Sequence, residues 1–186
     1  MTNKRIWWYL VVAVFFGTAM VAPLSAALLE SHENNVARLL ESRIKSAVAK
    51  ERFSCQGELV CGIALIPGFY AARGYQPVWT KTHAILPAAS DLLGEIEAVD
   101  RYGLIPADYH WQRLRQMTQT LARTFEGTES VDARLRADYD LLMTDAFFLL
   151  VSHILGGRVN PESIHPEWET YSHEVDLAPL LNGILV

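Results

Sequence analysis

Residues 141–155 read LLMTDAFFLLVSHIL, and this stretch is apolar around nearly the whole circumference of a helix. Such a helix needs neighbours on every side, either protein or lipid. Fifteen residues are fewer than the ~20 that span a bilayer, and a charge such as Asp145 within the bilayer would cost about 3 kcal/mol. We therefore predict the central helix of a protein core, running over about 130–155 and ended by the glycine pair at 156–157.

Three acids lie on this helix: Asp138, Asp140 and Asp145. Paired carboxylates can act as general acid and base, but residues 138 and 145 are two turns apart and residue 140 points elsewhere. A buried carboxylate needs hydrogen-bond donors. We therefore expect Asp145 to join a buried network, with Arg158 or a neighbouring backbone amide as its donor, and assign it no catalytic role.

Residues 34–52 predict an amphipathic helix with Asn34 or Asn35 as its N-cap. The apolar stripe of this helix consists of Val36, Leu39, Leu40, Ile44, Ala47 and Val48. The helix carries five Lys or Arg against two Glu. That basic excess fits contact with a membrane or peptidoglycan, or an ordinary solvated face, and we favour the solvated face.

Residues 63–80 predict a packed corner, in which Pro67 suits the first turn of a short helix and Gly74 its left-handed exit. The corner carries three aromatic residues, Tyr70, Tyr75 and Trp79. They form either an aromatic binding platform or a plug in the core, and we favour the plug.

Further helices are predicted over 88–103, from Pro106 or Asp108 to about Phe125, and from a cap at Asp176 onward. The apolar positions of the last helix continue to the end of the sequence, so residues 174–186 are interpreted as the start of an incomplete helix. The predicted fold class is mainly α, with about five helices, one small β-hairpin and an N-terminal signal segment.

The chain has 186 residues, of which 51% are hydrophobic and 20% charged, and its formal charge is −5. These values suit one globular domain. A mildly acidic protein lacks the positive field that attracts phosphate backbones, so we expect no nucleic-acid partner.

Residues 6–22 contain no charged side chain, and two basic residues precede them while small residues follow. This layout is typical of a secretory signal. We predict that residues 1–27 are a signal peptide cleaved after Ala26 or Ala27, or a signal anchor retained in the inner membrane. In both cases the rest of the chain lies outside the cytoplasm.

Cys55 and Cys61 are the two cysteines of the chain. An oxidising compartment favours a bridge between them, and Gly57 supplies a turn for a hairpin that could join them. We therefore predict a disulfide rather than a nucleophilic cysteine. The six histidines show neither HxH nor HExxH spacing, so we predict no metal site and no cofactor.

Five stretches of the sequence stand together in a recognisable order: GELVCGIALIPGFY (57–70), FYAARGYQPVW (69–79), YGLIPADYH (102–110), DLLMTDAFFLLVSHILGGRVNPESIHPEW (140–168) and VDLAPLL (175–181). In this order they resemble the N-terminal scaffold region of the large multidomain periplasmic murein L,D-transpeptidases. The resemblance runs from about residue 35 to the last residue.

The resemblance implies a periplasmic role in the cell wall, where these enzymes form 3→3 cross-links through a catalytic cysteine in a motif like SHGCxR. Neither cysteine of this chain lies in such a motif, so no catalytic residue is assigned. Residues 28–173 are interpreted as a scaffold-like helical domain. The positions that the resemblance implies hold helices and corners together are Tyr70, Arg73, Gly74, Pro77, Trp79, Gly103, Leu104, Thr144, Asp145, Gly157, Arg158, Pro161 and Trp168.

Two functions follow from the resemblance. The first is the non-catalytic scaffold portion of a peptidoglycan L,D-transpeptidase, truncated and inactive alone. The alternative is a stand-alone periplasmic scaffold that binds peptidoglycan or a partner enzyme. The expected partner is accordingly peptidoglycan or the transpeptidase catalytic domain.

Overall fold

The computed structural model describes residues 22–127, 131–158 and 176–185, with side chains from residue 30 onward. This part of the chain is mainly α, as predicted. It contains six α-helices, two short 3-10 helices and two antiparallel hairpins, one hairpin more than predicted. The signal segment up to residue 21 lies outside the described residues, as do the scaffold positions Pro161 and Trp168.

The α-helices, in chain order, are α1 (Ala22–Lys50), α2 (Ile66–Ala72), α3 (Pro87–Glu97), α4 (Trp111–Glu126), α5 (Ala133–Gly156) and α6 (Leu177–Ile184). The strands are β1 (Ser54–Cys55), β2 (Glu58–Leu59), β3 (Thr80–Lys81) and β4 (Ala84–Ile85). The 3-10 helices span Val99–Tyr102 and Pro106–Tyr109. The hairpin β1–β2 connects α1 with α2, and β3–β4 connects α2 with α3.

The central helix is α5, as predicted, and it contacts each of the other five α-helices. Residues 136–148 are buried without interruption. In the described part of the chain, α5 is the one helix long and apolar enough to cross a membrane, but 61% of the window that meets this criterion is buried in the protein. The helix begins slightly later than predicted, at Ala133. Asp132 caps it by accepting the N–H of Arg134 at 2.9 Å.

The first helix is longer than predicted, since α1 begins at Ala22 rather than near residue 34. Most of its predicted stripe is buried, but Val48 is 50% exposed and does not belong to the stripe. Ala26 and Ala27 lie within α1, and signal cleavage after either residue remains a prediction. At the other end of the chain, Asp176 caps α6 as predicted, and its carboxylate accepts the Ala178 N–H at 3.1 Å.

The hairpin β1–β2 turns through Gln56 and Gly57, whose φ angles of +54° and +86° fit a two-residue turn with both central residues left-handed. The predicted hairpin is therefore confirmed, but the predicted disulfide is not formed, because both cysteines are free thiols. Cys55 is paired across the strands with Glu58, whereas Cys61 lies beyond the end of β2. The register therefore does not bring the two thiols opposite each other.

The corner after β2 follows the prediction closely. Pro67 lies in the first turn of α2, and Gly74 takes a φ of +62° after the helix ends. Tyr70 and Trp79 are fully buried, and the partly buried Tyr75 packs against the same core. The core plug is therefore confirmed, and the aromatic binding platform is wrong.

Two predicted helices are broken into shorter pieces. The prediction for 88–103 becomes α3 and the 3-10 helix Val99–Tyr102, which ends at Gly103 with a φ of +71°. The prediction that starts at Pro106 becomes a 3-10 helix and α4, separated by His110 with a φ of +59°. A left-handed residue cannot continue the hydrogen-bond ladder of an α-helix, so His110 turns the chain between the two pieces.

Candidate functional site

The most unusual feature of the core is a row of buried carboxylates on α5, formed by Asp138, Asp140 and Asp145 and called here the acidic row. Each of the three is at most 2% exposed. A buried carboxylate is costly unless hydrogen bonds or opposite charge offset the loss of water. The partners of each residue therefore decide what the acidic row can do.

Asp140 binds the corner that precedes β3. Its carboxylate accepts the backbone N–H of Val78 at 2.9 Å and of Trp79 at 3.0 Å, and the hydroxyl of Tyr70 at 2.6 Å. All three donors are uncharged and buried. Asp140 therefore works as the acceptor that ties the backbone of the corner to α5.

Thr144, one turn after Asp140, extends this network. Its hydroxyl lies 2.9 Å from the indole nitrogen of Trp79 and 2.8 Å from the hydroxyl of Tyr70. The indole N–H can only donate, and an ionised carboxylate can only accept. The hydrogen bonds are therefore all donated in one direction. The Trp79 indole N–H donates to the Thr144 hydroxyl, which donates to the Tyr70 hydroxyl, which in turn donates to the Asp140 carboxylate.

Burial raises the pKa of Asp140 to about 6, although hydrogen bonds from Tyr70, Trp79 and Val78 and the charge of Arg136 act in the opposite direction. Burial also raises the pKa of Tyr70 well above its usual value, and the charge of Asp140 adds to that effect. Tyr70 therefore stays protonated and remains a donor. The arrangement is suited to structural support rather than to proton transfer.

Asp145 binds the segment just after β2. It accepts the backbone N–H of Cys61 at 3.2 Å and of Gly62 at 2.5 Å. Of the two donors expected for Asp145, the backbone amide is confirmed and Arg158 is wrong, because Arg158 pairs with Asp108 at 2.7 Å. A Cβ atom added to Gly62 would lie 2.9 Å from the Asp145 Oδ1, so the close approach of the backbone requires glycine here.

His110 completes the surroundings of Asp145. Its Nε2 lies 2.7 Å from the Asp145 carboxylate and its Nδ1 lies 3.2 Å from that of Glu58. Burial lowers the pKa of His110, but the hydrogen bonds and charges of Asp145 and Glu58 together outweigh it, so the pKa is raised. With both ring nitrogens facing carboxylates, the geometry suits the doubly protonated imidazolium.

Asp138 joins α5 to α1 and to the first hairpin. Its carboxylate accepts from the guanidinium of Arg43, from the side-chain amide of Gln56 at 2.5 Å and from the thiol of Cys55 at 3.2 Å. A fourth buried charged residue of α5, Arg136, is 2% exposed and donates to both carboxylate oxygens of Glu33 on α1, at 2.9 and 3.0 Å. The central helix is thus bound to α1 by two ion pairs.

The remaining scaffold positions are spread over the fold rather than gathered at one site. Leu104 is buried, Pro77 precedes the anchored Val78, and Gly157 ends α5 with a φ of +78°. Arg73 lies over the ring of Phe69 and donates to Asn182 on α6 at 2.7 Å. Arg73 thus contacts both α2 and α6, which is consistent with a role in holding helices together.

Neither thiol has the surroundings of a nucleophile. Burial raises the pKa of Cys55 to about 11, and burial with the charge of Asp145 raises the pKa of Cys61. A thiol with a raised pKa is mostly protonated at neutral pH and attacks slowly. Within the described ranges, no group of three His, Cys, Asp or Glu side chains is placed to hold a metal ion.

Comparison with known proteins gives one match. The family model described as "Scaffold domain" matches residues 64–186, which include α2 to α6 and therefore the whole acidic row. No curated protein and no solved structure matches the chain. Because the family model covers well over half of the sequence, this protein belongs to the Scaffold domain family.

Proposed function

We propose that this chain acts as the non-catalytic scaffold portion of a peptidoglycan L,D-transpeptidase, the class of enzyme that forms 3→3 cross-links in the cell wall. The observation that carries the proposal is the match to the Scaffold domain family over residues 64–186. The resemblance of the motifs at 69–79, 102–110 and 140–168 supports the link to transpeptidases. The proposed location is the periplasm.

The chemistry of the core supports a non-catalytic role. Asp140 and Asp145 each bind two backbone N–H groups, so their oxygens are occupied by structural contacts. The raised pKa of each thiol, Cys55 and Cys61, argues against a covalent acyl intermediate on this chain.

We infer that exposed apolar side chains of α6 and of the end of α5 form the contact surface for a catalytic domain. Leu180 and Ile184 on α6 are 42% and 51% exposed, and Ile154 and Leu155 at the end of α5 are 47% and 56% exposed. Contiguous apolar patches are typical of surfaces that a partner covers, and the inference is that these side chains form such a patch. We call these four residues the apolar end.

A binding experiment with an L,D-transpeptidase catalytic domain tests the proposal. The full-length chain, in nonionic detergent, is titrated with a separately expressed catalytic domain to measure binding. In a parallel assay, 3→3 cross-linked muropeptides are quantified by mass spectrometry. We expect saturable binding that the double variant Leu180→Glu/Ile184→Glu weakens at least about tenfold. The matched control, Leu59→Glu/Ile105→Glu, changes two residues that are each 55% exposed elsewhere and should bind like the wild type.

Two other outcomes would contradict the proposal. Absence of binding to the catalytic domain, combined with saturable binding to purified murein sacculi, would favour a stand-alone peptidoglycan-binding scaffold. A carbapenem adduct on the isolated chain, detected by intact-protein mass spectrometry and lost in Cys61→Ser, would make the chain itself an enzyme.

A further inference from the structure

A cleft opens between the C-terminal end of α1 and the segment that leads into β1. Its volume is about 510 Å³, within the usual range for small-molecule sites. Its polar lining consists of three cations and three hydroxyl groups: Ser42, Arg43, Ser46, Lys50, Arg52 and Ser54. The cleft therefore combines positive charge with many hydrogen-bond donors.

These three cations lie together in a chain whose formal charge is −5. Lys50 and Arg52 are exposed, and the described residues provide no ion pair or hydrogen bond to either side chain. Lys50 compensates the negative end of the α1 dipole, but Arg52 lies beyond the helix and is not explained in that way. The acid between them, Glu51, is itself exposed.

Arg43 is held in place before any ligand arrives. Its Nη1 donates to the buried carboxylate of Asp138 and contacts the thiol of Cys55, while 31% of its side chain remains exposed. Its other N–H groups have no partner among the described residues, so one edge of the guanidinium is available. Fixing the guanidinium in advance lowers the ordering cost of binding.

We propose that this cleft binds a small oxyanion, a molecule whose phosphate or carboxylate oxygens accept hydrogen bonds from Arg43, Lys50 and Arg52. A guanidinium plane matches the geometry of both oxyanions, and the lysine adds a mobile charge. The three serine hydroxyls can donate to further oxygens of the ligand. The binding site adjoins the acidic row, because Arg43 also donates to Asp138, and it includes no residue of the apolar end.

Calorimetric titration of the full-length chain, in nonionic detergent, tests the site with two probes, pyrophosphate and citrate. We expect saturable binding of at least one probe at low ionic strength, and the preferred probe identifies the phosphate or carboxylate class. The double variant Lys50→Ala/Arg52→Ala should raise the Kd at least about tenfold, because each removed group is a charged hydrogen-bond donor. Arg43 is left unchanged, since its loss would leave Asp138 without its cation.

The matched control is Arg38→Ala/Lys45→Ala, which removes the same charge from exposed positions of α1 outside the cleft. This control should change the Kd less than threefold, because Arg38 and Lys45 do not line the cleft and donate no hydrogen bond to the probe. Equal weakening in both double variants would show unspecific attraction and overturn the proposal. Failure of the wild-type chain to bind either probe would also overturn it.

Discussion

Asp140 and Asp145 lie five residues apart on α5, and both are fully buried, yet their carboxylates are held in different ways. Asp140 receives its hydrogen bonds from uncharged groups, two backbone amides and the Tyr70 hydroxyl. Asp145 also receives two backbone amides, but its third donor is His110, which can carry a full positive charge.

This difference decides which group responds to pH. Around Asp140 the loss of water raises the pKa of the carboxyl more than the hydrogen-bond donors lower it, so this pKa rises to about 6. Around Asp145 the pKa that rises is that of His110, which lies between two carboxylates. One helix therefore offsets the burial of a carboxylate in two ways, through neutral donors at one point and through a titratable cation at the other.

Removal of Asp140 should have the largest effect on stability. Asp140→Ala leaves the backbone N–H groups of Val78 and Trp79 buried without an acceptor, at about 1–3 kcal/mol each, while the Tyr70 hydroxyl keeps the backbone carbonyl of residue 140 as an acceptor. We expect the free energy of unfolding, measured by urea titration, to fall by about 4 kcal/mol. Asp91→Ala on the exposed side of α3 is the control and should stay within about 0.5 kcal/mol. A loss at Asp140 no larger than that of the control would refute its anchoring role.

The pH dependence of stability should show two separate windows. A raised pKa means that folding favours the protonated form, so the stabilisation is complete below the unfolded pKa and disappears as pH rises through the folded pKa. For Asp140 the loss runs from about pH 4 to about pH 6 and amounts to about 3 kcal/mol. For His110 the loss begins near pH 6.5 and continues above it.

Urea titrations from pH 4 to pH 8 can separate these windows. Asp140→Asn should flatten the lower window only, and His110→Gln should flatten the upper window only. An upper window that persists unchanged in His110→Gln would show that another group causes it.

Glycine substitutions test how tightly Asp145 holds the segment after β2. Gly62→Ala places a methyl group 2.9 Å from the Asp145 Oδ1, and we expect a loss of about 2 kcal/mol. Gly68→Ala within α2 meets open space and should raise stability by about 0.5 kcal/mol, because alanine is the better helix former. If Gly62→Ala and Gly68→Ala changed the free energy of unfolding by the same amount and in the same direction, the close packing around Asp145 would be contradicted.

The smallest effect is expected from Arg158→Ala. This change removes a partly exposed ion pair with Asp108, and pairs of that kind contribute at most about 1 kcal/mol. A double-mutant cycle with Asp108→Ala measures the pair directly. A loss as large as that of Gly62→Ala would mean that Asp145 depends on Arg158 after all.

The helical class, the central helix and the first hairpin could all be predicted from the sequence. They depend on local signals: continuous apolar character over 141–155, helical spacing elsewhere, and Gly57 at the turn. The burial of Asp145 also followed from its place in an apolar stretch, but its histidine partner did not. The disulfide prediction was wrong because it used the compartment and the spacing, while the strand register decides which side chains face each other.

The features that sequence reasoning missed depend on distant contacts or on unusual turn residues. The hairpin β3–β4 turns at Thr82 and His83, a pair without the glycine or asparagine that marks such turns. His110 takes a left-handed φ that its residue type only weakly predicts. Arg136 forms an ion pair with Glu33, which lies on α1 and is distant in the sequence.

By itself, the sequence determined where apolar side chains recur, and hence that α5 is a buried helix surrounded by amphipathic ones, because periodicity is a property of neighbouring residues. Only the tertiary structure decided which donors reach each carboxylate of the acidic row, and that Arg43, Lys50 and Arg52 line one cleft. Such contacts join residues that are distant in the chain, and their distances are set by the packing of helices rather than by local spacing.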